Sequence, residues 1–489
     1  MNRNRILSVL LALCMTLSLL VSPAFAADKT AVDAAQQLHT LGLMSGTGEG
    51  GYALDRSLTR QEAAALLVRL MGKEDEAKSG SWYLPTDDVD GWAKPFVGYA
   101  CAKGVLDETM LARFGGRTQV SGNEYREALL RALGYAEDAR YERTGIPASS
   151  DAALSRGKAA EMTLAAAGMT GLSLWTEGVG KPRRVLEAYM EAITDPTSVD
   201  YIPVENRIAV FDLDGTLFCE TDPGYMDHMI FFHRVFEDPT YTPTAEQLAV
   251  GELVREYFNT GDYPSGLDEK HAKANAEVFA GMTPAEYDAY AKAYAAEKAN
   301  GYEGMARGEA FYEPMLQLIR WLQSNEFTVY IVSGTNRPEV RALVDGVIDI
   351  PNAQIIGTDE TIVASGQDGK DGLSYQYTGS DKLVMGGDFL AKNLKMNKVS
   401  VIAREIGQQP VLSFGNSSGD SSMANYVVKN NPYRSAAFML CCDDLVRENG
   451  NMKKADSMRE SCEKNGWVAV SMRDDWSTIY GVGVTRNTK

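Results

Sequence analysis

Three short apolar stretches in the C-terminal two-thirds of the chain each run directly into polar residues. They are Ile208–Phe211 before Asp212-Leu213-Asp214-Gly215-Thr216, Thr328–Val332 before Ser333-Gly334-Thr335, and Pro410–Phe414 before Gly415-Asn416-Ser417-Ser418-Gly419-Asp420. Continuous apolar runs of this length are typical of buried parallel strands. Because parallel strands place their carboxyl ends at one edge of a sheet, we expect these polar residues to share a site there. The pattern predicts an open α/β fold.

The first polar run carries two carboxylates, Asp212 and Asp214, at the end of a strand that is predicted to be buried. Carboxylates in such a position are costly unless they meet a cation. The D-x-D-G-T pattern, followed in order by S-G-T and G-N-x-x-G-D, is therefore a candidate for a charged catalytic site rather than a structural feature.

This ordered set of motifs resembles the haloacid dehalogenase-like (HAD) hydrolases, and in particular phosphatases of the phosphoserine and phosphorylcholine phosphatase kind. The resemblance implies a Rossmann-like parallel sheet over residues 176–489. It implies that Asp212 is the nucleophile that forms an aspartyl phosphate and that Asp214 is the general acid, then the general base. A dehalogenase would not need that second acid, so Asp214 favours phosphoryl transfer. Further residues implied to bind substrate are Thr216, Glu220, Ser333 and the Gly334 amide.

The same resemblance implies a Mg²⁺ ion and a catalytic lysine. Phosphate and Asp212 together concentrate negative charge, which requires a hard divalent cation. The implied ligands are Asp212, the Asp214 carbonyl, Asn416 and Asp420, with Asn416 where most of the family has Asp. Three lysines compete for the catalytic position, namely Lys392, Lys395 and Lys398, and Lys398 is favoured because it directly precedes the helical run 399–406.

Two insertions are expected within this domain. Apolar residues at helical spacing predict a helical cap of the C1 type over residues 222–310, and an alternating stretch broken by glycines predicts a β-hairpin over residues 355–386. His228, His233 and His271 lie in the predicted cap. Their spacing fits no metal motif, so we interpret them as satisfied or surface histidines rather than a second metal site.

The composition of the cap favours a cationic substrate. Residues 222–310 hold sixteen Asp or Glu and seven Lys or Arg, a net charge of −9, together with many aromatic residues. Acidic groups disfavour polyanions, and aromatic faces attract an ammonium group. Because the resemblance includes phosphorylcholine phosphatases, it implies phosphocholine or phosphoethanolamine as the first substrate hypothesis, with Glu220 as a contact to the ammonium. The rings nearest the nucleophile are Tyr225, Phe231, Phe232 and Phe236; the alternative is that they form the core of the cap.

The N-terminal third contains an internal repeat, because a shift of 62 residues aligns Gly42 with Gly104 and Leu58 with Val120 without a gap. A degenerate third unit begins near Ser155. Residues 28–175, and above all the segment 58–64, resemble S-layer homology modules. That resemblance implies binding of secondary cell-wall polysaccharide through Arg60. At the position that matches Arg60, the second unit lacks the arginine, and at the position that matches Glu62, the third unit lacks the glutamate. The alternative is a helical repeat that only spaces the catalytic domain from the envelope.

Residues 1–26 have a basic start, an apolar stretch and an Ala-x-Ala ending, which predict an export signal. No later stretch is apolar over 18 residues, so no membrane span is expected in the mature chain. The net charge of −18 opposes contact with a phosphate backbone, and nucleic acid is not an expected partner. The five cysteines beyond the signal match no zinc motif, and their odd number opposes a disulfide scaffold.

Together these features predict a secreted, cell-wall-associated, Mg²⁺-dependent phosphomonoesterase. Two alternatives remain open. The first is a surface binding or scaffold protein that keeps the hydrolase fold without turnover, for which Asn416 is the best argument. The second is a phosphomutase, which a large helical cap would permit.

Overall fold

The computed structural model describes residues 26–46, 51–135, 146, 150–167, 171–481 and 483–487. The predicted export signal therefore lies outside the described residues, apart from Ala26. The chain divides into two compact units, residues 1–173 and 174–489. Within the described ranges, no helix is long and apolar enough to cross a membrane.

The N-terminal unit is helical. Its helices are α1 (Ala26–Thr40), α2 (Arg60–Leu70), α3 (Glu74–Ser79), α4 (Lys94–Ala102), α5 (Glu108–Phe114), α6 (Gly122–Ala132) and α7 (Arg156–Ala167). Short extended segments precede α2, α6 and α7 and pair with one another through the bridges Ser57–Ser155, Thr59–Gln119 and Ser121–Ala153. The backbone N–H of Leu58 donates to Leu154, that of Leu154 to Val120, and that of Val120 to Leu58. Three repeat units thus close into a ring around these buried apolar residues.

Ion pairs between neighbouring units follow the same cyclic order. Arg60 of the first unit donates to Glu124 of the second, and Arg156 of the third donates to Glu62 of the first. At the third interface, between the second and third units, the positions that match this arginine and this glutamate are Gly122 and Lys158. The missing arginine and the missing glutamate would therefore have paired with each other at this interface. Because both are absent, neither absence leaves the other residue without its ion-pair partner.

The C-terminal unit is built on a seven-stranded sheet in the order β5-β4-β3-β1-β6-β7-β8. The strands are β1 (Ile208–Phe211), β2 (Tyr302–Glu303), β3 (Thr328–Asn336), β4 (Ile355–Ala364), β5 (Leu383–Ala391), β6 (Leu412–Gly415), β7 (Ala436–Cys441), β8 (Val468–Ser471) and β9 (Thr485–Arg486), of which β2 and β9 form a separate antiparallel pair. All pairs within the large sheet are parallel except β4–β5. The predicted α/β class is confirmed. Because β1 lies between β3 and β6, the three polar runs meet at one edge.

Helices flank this sheet and form the cap. They are α8 (Pro182–Thr194), α9 (Met226–Phe236), α10 (Ala245–Thr260), α11 (Leu267–Val278), α12 (Pro284–Ala295), α13 (Glu313–Ser324), α14 (Arg337–Val344), α15 (Met396–Val401), α16 (Ser421–Val428) and α17 (Met452–Asn465). A π-helical turn, Ile402–Ile406, extends α15. Helices α9–α12 fall in the segment for which a cap is predicted.

Two sequence-derived boundaries differ from the structure. The hairpin is part of the large sheet, because the first part of β4 pairs in parallel with β3. The later part of β4 pairs with β5, and this pairing extends to Ala391. Trp175 belongs to the C-terminal unit rather than to the repeats. Its ring packs edge-on against Trp476 at 5.8 Å, and its indole N–H donates to the Pro314 carbonyl.

Candidate active site

Asp212 lies directly beyond β1 and is joined to a buried lysine. The Lys398 Nζ donates to Asp212 Oδ1 at 2.5 Å and to Asp420 Oδ1 at 2.7 Å, and Lys398 has no solvent exposure. Burial and the charge of Asp420 raise the pKa of Asp212, and Lys398 opposes that rise. Burial lowers the pKa of Lys398, but the two carboxylates outweigh it, so this side chain is an ammonium. The ammonium holds both carboxylates at the sheet edge.

Asp214 has a different environment from Asp212. Its Oδ2 accepts a hydrogen bond from Thr335 Oγ1 at 2.6 Å, and its buried Oδ1 has no donor among the described residues. Burial and the charge of Asp227 hold the pKa of Asp214 well above its usual range. Asp214 therefore holds a proton more tightly than an ordinary aspartate does, which suits an acid next to a nucleophile.

Gly215 permits the tight turn that follows Asp214. Its φ is +72°, and a Cβ at this position would lie 1.8 Å from Asn416 Nδ2. No larger residue fits between the two loops. The turn brings Glu220 beside Asn416. Burial raises the pKa of Glu220 to about 7, although the hydrogen bond with Asn416 lowers that pKa.

The other residues implied to bind substrate lie at the same edge. Ser333 is fully buried, and its Oγ accepts the Thr335 backbone N–H at 3.0 Å. A Cβ on Gly334 would meet the Leu394 side chain at 2.7 Å, so this backbone is closely covered. Thr216 is fully buried, and its Oγ1 has no hydrogen-bond partner in the described part of the chain.

The structure places the three competing lysines in different surroundings. Lys398 contacts Asp212 and Asp420, as described above. Lys392 donates instead to Asp227 Oδ2 at 3.3 Å. Lys395 is exposed and precedes α15 with a φ of +56°. Of these three, Lys398 alone contacts the implied nucleophile.

The donor set around Asp212 fits a hard cation. The carboxyl groups of Asp212, Asp214 and Asp420 are all buried, and among the described residues Lys398 is the one ammonium that contacts Asp212 and Asp420. Asp214 Oδ1 has no hydrogen-bond partner in the described part of the chain. Carboxylate and amide oxygens in this arrangement are ligands of the kind that Mg²⁺ prefers.

The cap contributes a cluster of three tyrosines, Tyr225, Tyr257 and Tyr263, beside Glu220. Their ring centroids are 5.2 to 6.2 Å apart. The charge of Glu220, together with burial, holds the pKa of Tyr225 well above its usual range. The cap side of the site thus combines a carboxyl group with a cluster of tyrosine rings.

Three of the four predicted rings have a structural role instead. Phe231 is fully buried and packs edge-on against His271 at 5.1 Å. Phe232 and Phe236 pack against each other at 4.8 Å and beneath the Arg255 guanidinium. These phenylalanines stabilise the cap, and of the four rings only that of Tyr225 belongs to the tyrosine cluster.

Sequence reasoning missed several residues near this site. Thr335 belongs to the S-G-T motif, which was the available signal for its contact with Asp214. Tyr257 and Tyr263 gave no local signal, because their proximity to Tyr225 depends on the packing of α9 and α10. Asp227 was not singled out, although it influences Asp214 and contacts both His228 and Lys392. His228 and His271, which the sequence analysis interprets as satisfied or surface histidines, are buried and stack on each other at 4.0 Å.

Arg60, implied to bind glycan, lies in the N-terminal unit. Its Nε and Nη2 donate to both carboxylate oxygens of Glu124, at 2.6 and 2.7 Å, and Nη1 donates to Thr118. Arg60 is 7% exposed. Two donors with which Arg60 could bind an acidic sugar are therefore occupied by Glu124.

Known proteins resemble this chain in two separate regions. The N-terminal region is 34% identical over 137 residues to the middle cell wall protein of Brevibacillus brevis and 34% identical over 140 residues to the surface layer protein of Brevibacillus choshinensis. These matches cover 25% and 26% of this chain. The chain spans only 13% and 12% of the length of those relatives.

Solved structures align with this chain at low identity. The crystal structure of a phosphoserine phosphohydrolase-like protein from Francisella tularensis aligns with 13% identity and a TM-score of 0.31, and covers 55% of this chain and 97% of that one. Residues 209–425 match the family described as haloacid dehalogenase-like hydrolase. The matched segment contains Asp212, Asp214, Ser333, Lys398 and Asp420. Residues 209–425 of this chain are therefore a haloacid dehalogenase-like hydrolase domain.

Proposed function

We propose that the protein is a Mg²⁺-dependent phosphomonoesterase that acts through an aspartyl phosphate on Asp212. The observation that carries the proposal is the contrast between two neighbouring carboxyls. Asp212 is paired with the Lys398 ammonium, whereas Asp214 is bonded to the Thr335 hydroxyl and has a strongly raised pKa. One group is thus prepared to attack and the other to donate a proton.

The reaction begins when an Asp212 oxygen forms a bond to phosphorus and the ester P–O bond breaks. The proton of Asp214 passes to the leaving alkoxide. Asp214, now a carboxylate, accepts a proton from the water that attacks the phosphorus of the aspartyl phosphate, and phosphate leaves. Asp212 and protonated Asp214 are then restored. Lys398 holds the Asp212 carboxylate in place throughout, and Ser333 with the Gly334 amide binds a phosphoryl oxygen.

Asp212, the Asp214 carbonyl, Asn416 and Asp420 would hold the metal. When bound, Mg²⁺ would neutralise negative charge on the phosphoryl group that is transferred. The amide of Asn416 contributes less charge than the carboxylate common in the family, so more of the ion's charge must be balanced by Asp212 and Asp420. Pairing of both carboxylates with a buried lysine opposes a scaffold role, since a scaffold has no use for that arrangement.

We further propose that the substrate carries a cationic head group, as phosphocholine and phosphoethanolamine do. Support comes from Glu220, which lies against the catalytic turn at Gly215 and whose charge raises the pKa of Tyr225. A carboxylate next to tyrosine faces attracts an ammonium by charge and by cation–π contact. The Glu220 carboxyl has a pKa of about 7, so it attracts the ammonium more strongly as pH rises through that value.

A carbon isostere provides the sharpest test of this substrate class. We expect wild-type enzyme to cleave phosphocholine with higher kcat/KM than 3,3-dimethylbutyl phosphate, which has the same shape without the charge. The preference should increase from about pH 6 to about pH 8, as Glu220 ionises. The Glu220→Gln variant should lose about 10- to 100-fold on phosphocholine and little on the isostere.

Equal losses on both esters in Glu220→Gln would show that Glu220 acts structurally, and a wild-type preference for the isostere or for glycerol phosphate would contradict the cationic substrate. Glu246→Gln is the matched control, because Glu246 is an exposed carboxylate of the cap. Product analysis separates hydrolysis from phosphomutase chemistry, since a mutase would return an isomeric phosphate ester rather than inorganic phosphate.

We also propose that the repeats attach the protein to wall polysaccharide at the cell surface. The similarity of the N-terminal region to two cell-surface proteins supports this, as does a cleft of about 270 Å³ in the N-terminal unit. Its charged lining residues are Arg60, Asp107, Glu124, Glu127, Arg131 and Asp151. With four carboxylates and two guanidinium groups, the cleft favours a neutral or amino sugar over an acidic one.

Binding to purified wall sacculi tests the attachment. The mature full-length chain should sediment with sacculi and should be released when their secondary polysaccharide has been removed. Asn123→Trp, which fills the cleft, should reduce the bound fraction at least about tenfold, whereas Asp75→Trp on the exposed face of α3 should not. Arg60 is left unchanged because its removal would strand the partly buried Glu124 carboxylate. No sedimentation of the wild type would refute attachment and favour the spacer alternative.

A further inference from the structure

A cluster of buried polar side chains lies between the cap and the sheet, and none of them takes part directly in the proposed phosphatase reaction, although the charge of Asp227 raises the pKa of Asp214. Helix α9 contributes Asp227 and His228, helix α11 contributes His271, and Lys392 follows β5. The exposed fractions of the first three residues are 3%, 2% and 0%. Their candidate ligand atoms all lie within 4.8 Å of one another.

Hydrogen bonds fix the tautomer of His271. Its Nε2 lies 3.1 Å from the backbone carbonyl oxygen of Asp227, which can only accept, so Nε2 carries the proton. The lone pair is therefore on Nδ1. This atom is buried, has no hydrogen-bond partner among the described residues, and lies 3.9 Å from Asp227 Oδ2. Two acceptors that face each other at this distance repel unless a cation or a donor lies between them.

A small cavity adjoins these atoms. It has a volume of about 10 Å³, which is room for one water-sized sphere, and Asp227 and His271 are part of its lining. Three further lining residues have a buried acceptor without a donor in the described structure, namely Asn275 Oδ1, Asn336 Oδ1 and Glu360 Oε2. An acceptor-lined space of this size matches a single positively charged ion better than an apolar group.

We propose that Asp227, His228 and His271 bind a transition-metal dication of the Zn²⁺ type, separate from the Mg²⁺ site at Asp212. Two imidazoles and a carboxylate, with a fourth position open, are a donor set that zinc favours and magnesium does not. Ligands that share one ion at bond lengths of about 2.1 Å lie about 3 to 3.5 Å apart. The ligand atoms must therefore move together by only about 1 Å.

His228 can join this set by exchanging one contact. Its Nδ1 is bonded to Asp227 Oδ1 at 2.7 Å, and its Nε2 lies 3.3 Å from the oxygen of the Tyr263 hydroxyl, which itself donates to Asp268 Oδ1 at 2.8 Å. In the metal-bound state Nδ1 would turn from the carboxylate to the ion. The contact with Tyr263 would then orient the ring, as hydrogen bonds to metal-bound histidines usually do.

Lys392 provides a way to distinguish a metal site from a structural network. Its ammonium lies 3.3 Å from Asp227 Oδ2 and supplies positive charge to that carboxylate when no ion is bound. A dication would repel the ammonium, and the unpartnered oxygen of Glu360, which lines the same cavity, can receive it. Removing the lysine charge should therefore tighten metal binding, whereas in a purely structural network it would create no affinity for zinc.

The test is a titration of the mature full-length chain with Zn²⁺, and in parallel with Co²⁺, in the presence of saturating Mg²⁺. We expect one zinc ion per chain and a cobalt spectrum with imidazole coordination. Asp227→Asn and His271→Gln should each weaken binding at least about 100-fold, and Lys392→Met should strengthen it about tenfold. His233→Gln is the matched control, because His233 lies in the same helix but bonds to the Tyr290 hydroxyl.

Thermal denaturation shows which variants remain folded. The proposal is overturned if the wild type takes up no zinc beyond the Mg²⁺ site, or if folded Asp227→Asn and His271→Gln bind zinc as the wild type does. If neither of those variants folds, Lys392→Met still decides, since it keeps all three ligands. Unchanged or weaker zinc binding in that variant would contradict the metal site. It would indicate that the cavity holds an ordered water and that the cluster has only a structural role.

Discussion

The Asp212→Asn variant is expected to lose phosphatase turnover by about 10⁴-fold or more in kcat. An amide is a poor nucleophile at phosphorus and cannot form the acyl phosphate, so the first step has no route through this side chain. The substitution keeps the size of the side chain and removes one negative charge from the buried pair with Lys398. Release of p-nitrophenol from p-nitrophenyl phosphate with Mg²⁺ measures the loss.

The control for Asp212→Asn is Asp345→Asn, which changes an exposed carboxylate of the same domain that is paired with Lys292. That variant should retain wild-type kcat. Equal melting temperatures for the three proteins would exclude a general loss of structure. Residual activity of Asp212→Asn within tenfold of the wild type would contradict the nucleophile assignment. Absence of Mg²⁺-dependent activity in the wild type itself, between about pH 5 and 9, would favour the scaffold alternative.

The sheet could be predicted because its strands carry strong local signals. The prediction for β1 matches the structure residue for residue, since four apolar residues stop abruptly at Asp212. The prediction for β3 stops four residues early, at Val332. Its S-G-T-N end continues the strand through the pairing of Asn336 with Thr358, which is a contact from a distant part of the chain. Strand β6 begins at Leu412 rather than Pro410, because proline lacks the N–H that a ladder requires.

The cap side of the site could not be predicted, because it depends on how helices pack. His228 and His271 are 43 residues apart in sequence, and no motif spacing reveals that their rings stack. The aromatic residues were counted correctly, but sequence alone does not show that Phe231 points into the cap while Tyr257 lies beside Tyr225. Helical periodicity identifies a buried face without identifying its partner.

The departures of the repeat motif from its consensus also needed the structure. Read along the chain, the loss of arginine at position 122 and of glutamate at position 158 look like two independent defects. The ring arrangement shows that the motif arginine of one unit pairs with the motif glutamate of the next. Both losses therefore fall on one interface, and Arg60 retains its own partner. Wall binding must be judged from the cleft between units rather than from how many motifs are intact.

Asp214→Asn is expected to separate substrates by the quality of their leaving group. An alkoxide leaves slowly without a proton, whereas p-nitrophenolate is already stable, so kcat/KM should fall about 10²- to 10⁴-fold for an alkyl phosphate and much less for p-nitrophenyl phosphate. Since kcat/KM reports the first irreversible step, the later loss of the general base does not obscure this comparison.

The pH profile gives a second, independent signature of Asp214. Because burial and Asp227 hold its pKa well above the usual range, the carboxyl keeps its proton to higher pH than an ordinary aspartate does and stops acting as an acid when pH rises through that pKa. Wild-type kcat/KM for the alkyl ester should therefore fall on the alkaline side, and Asp214→Asn should lack that limb. The missing base should also let the phosphoenzyme accumulate, so that p-nitrophenol appears as a burst of about one equivalent before slow turnover. Equal losses for both esters, with an unchanged alkaline limb, would show that the proton comes from another group.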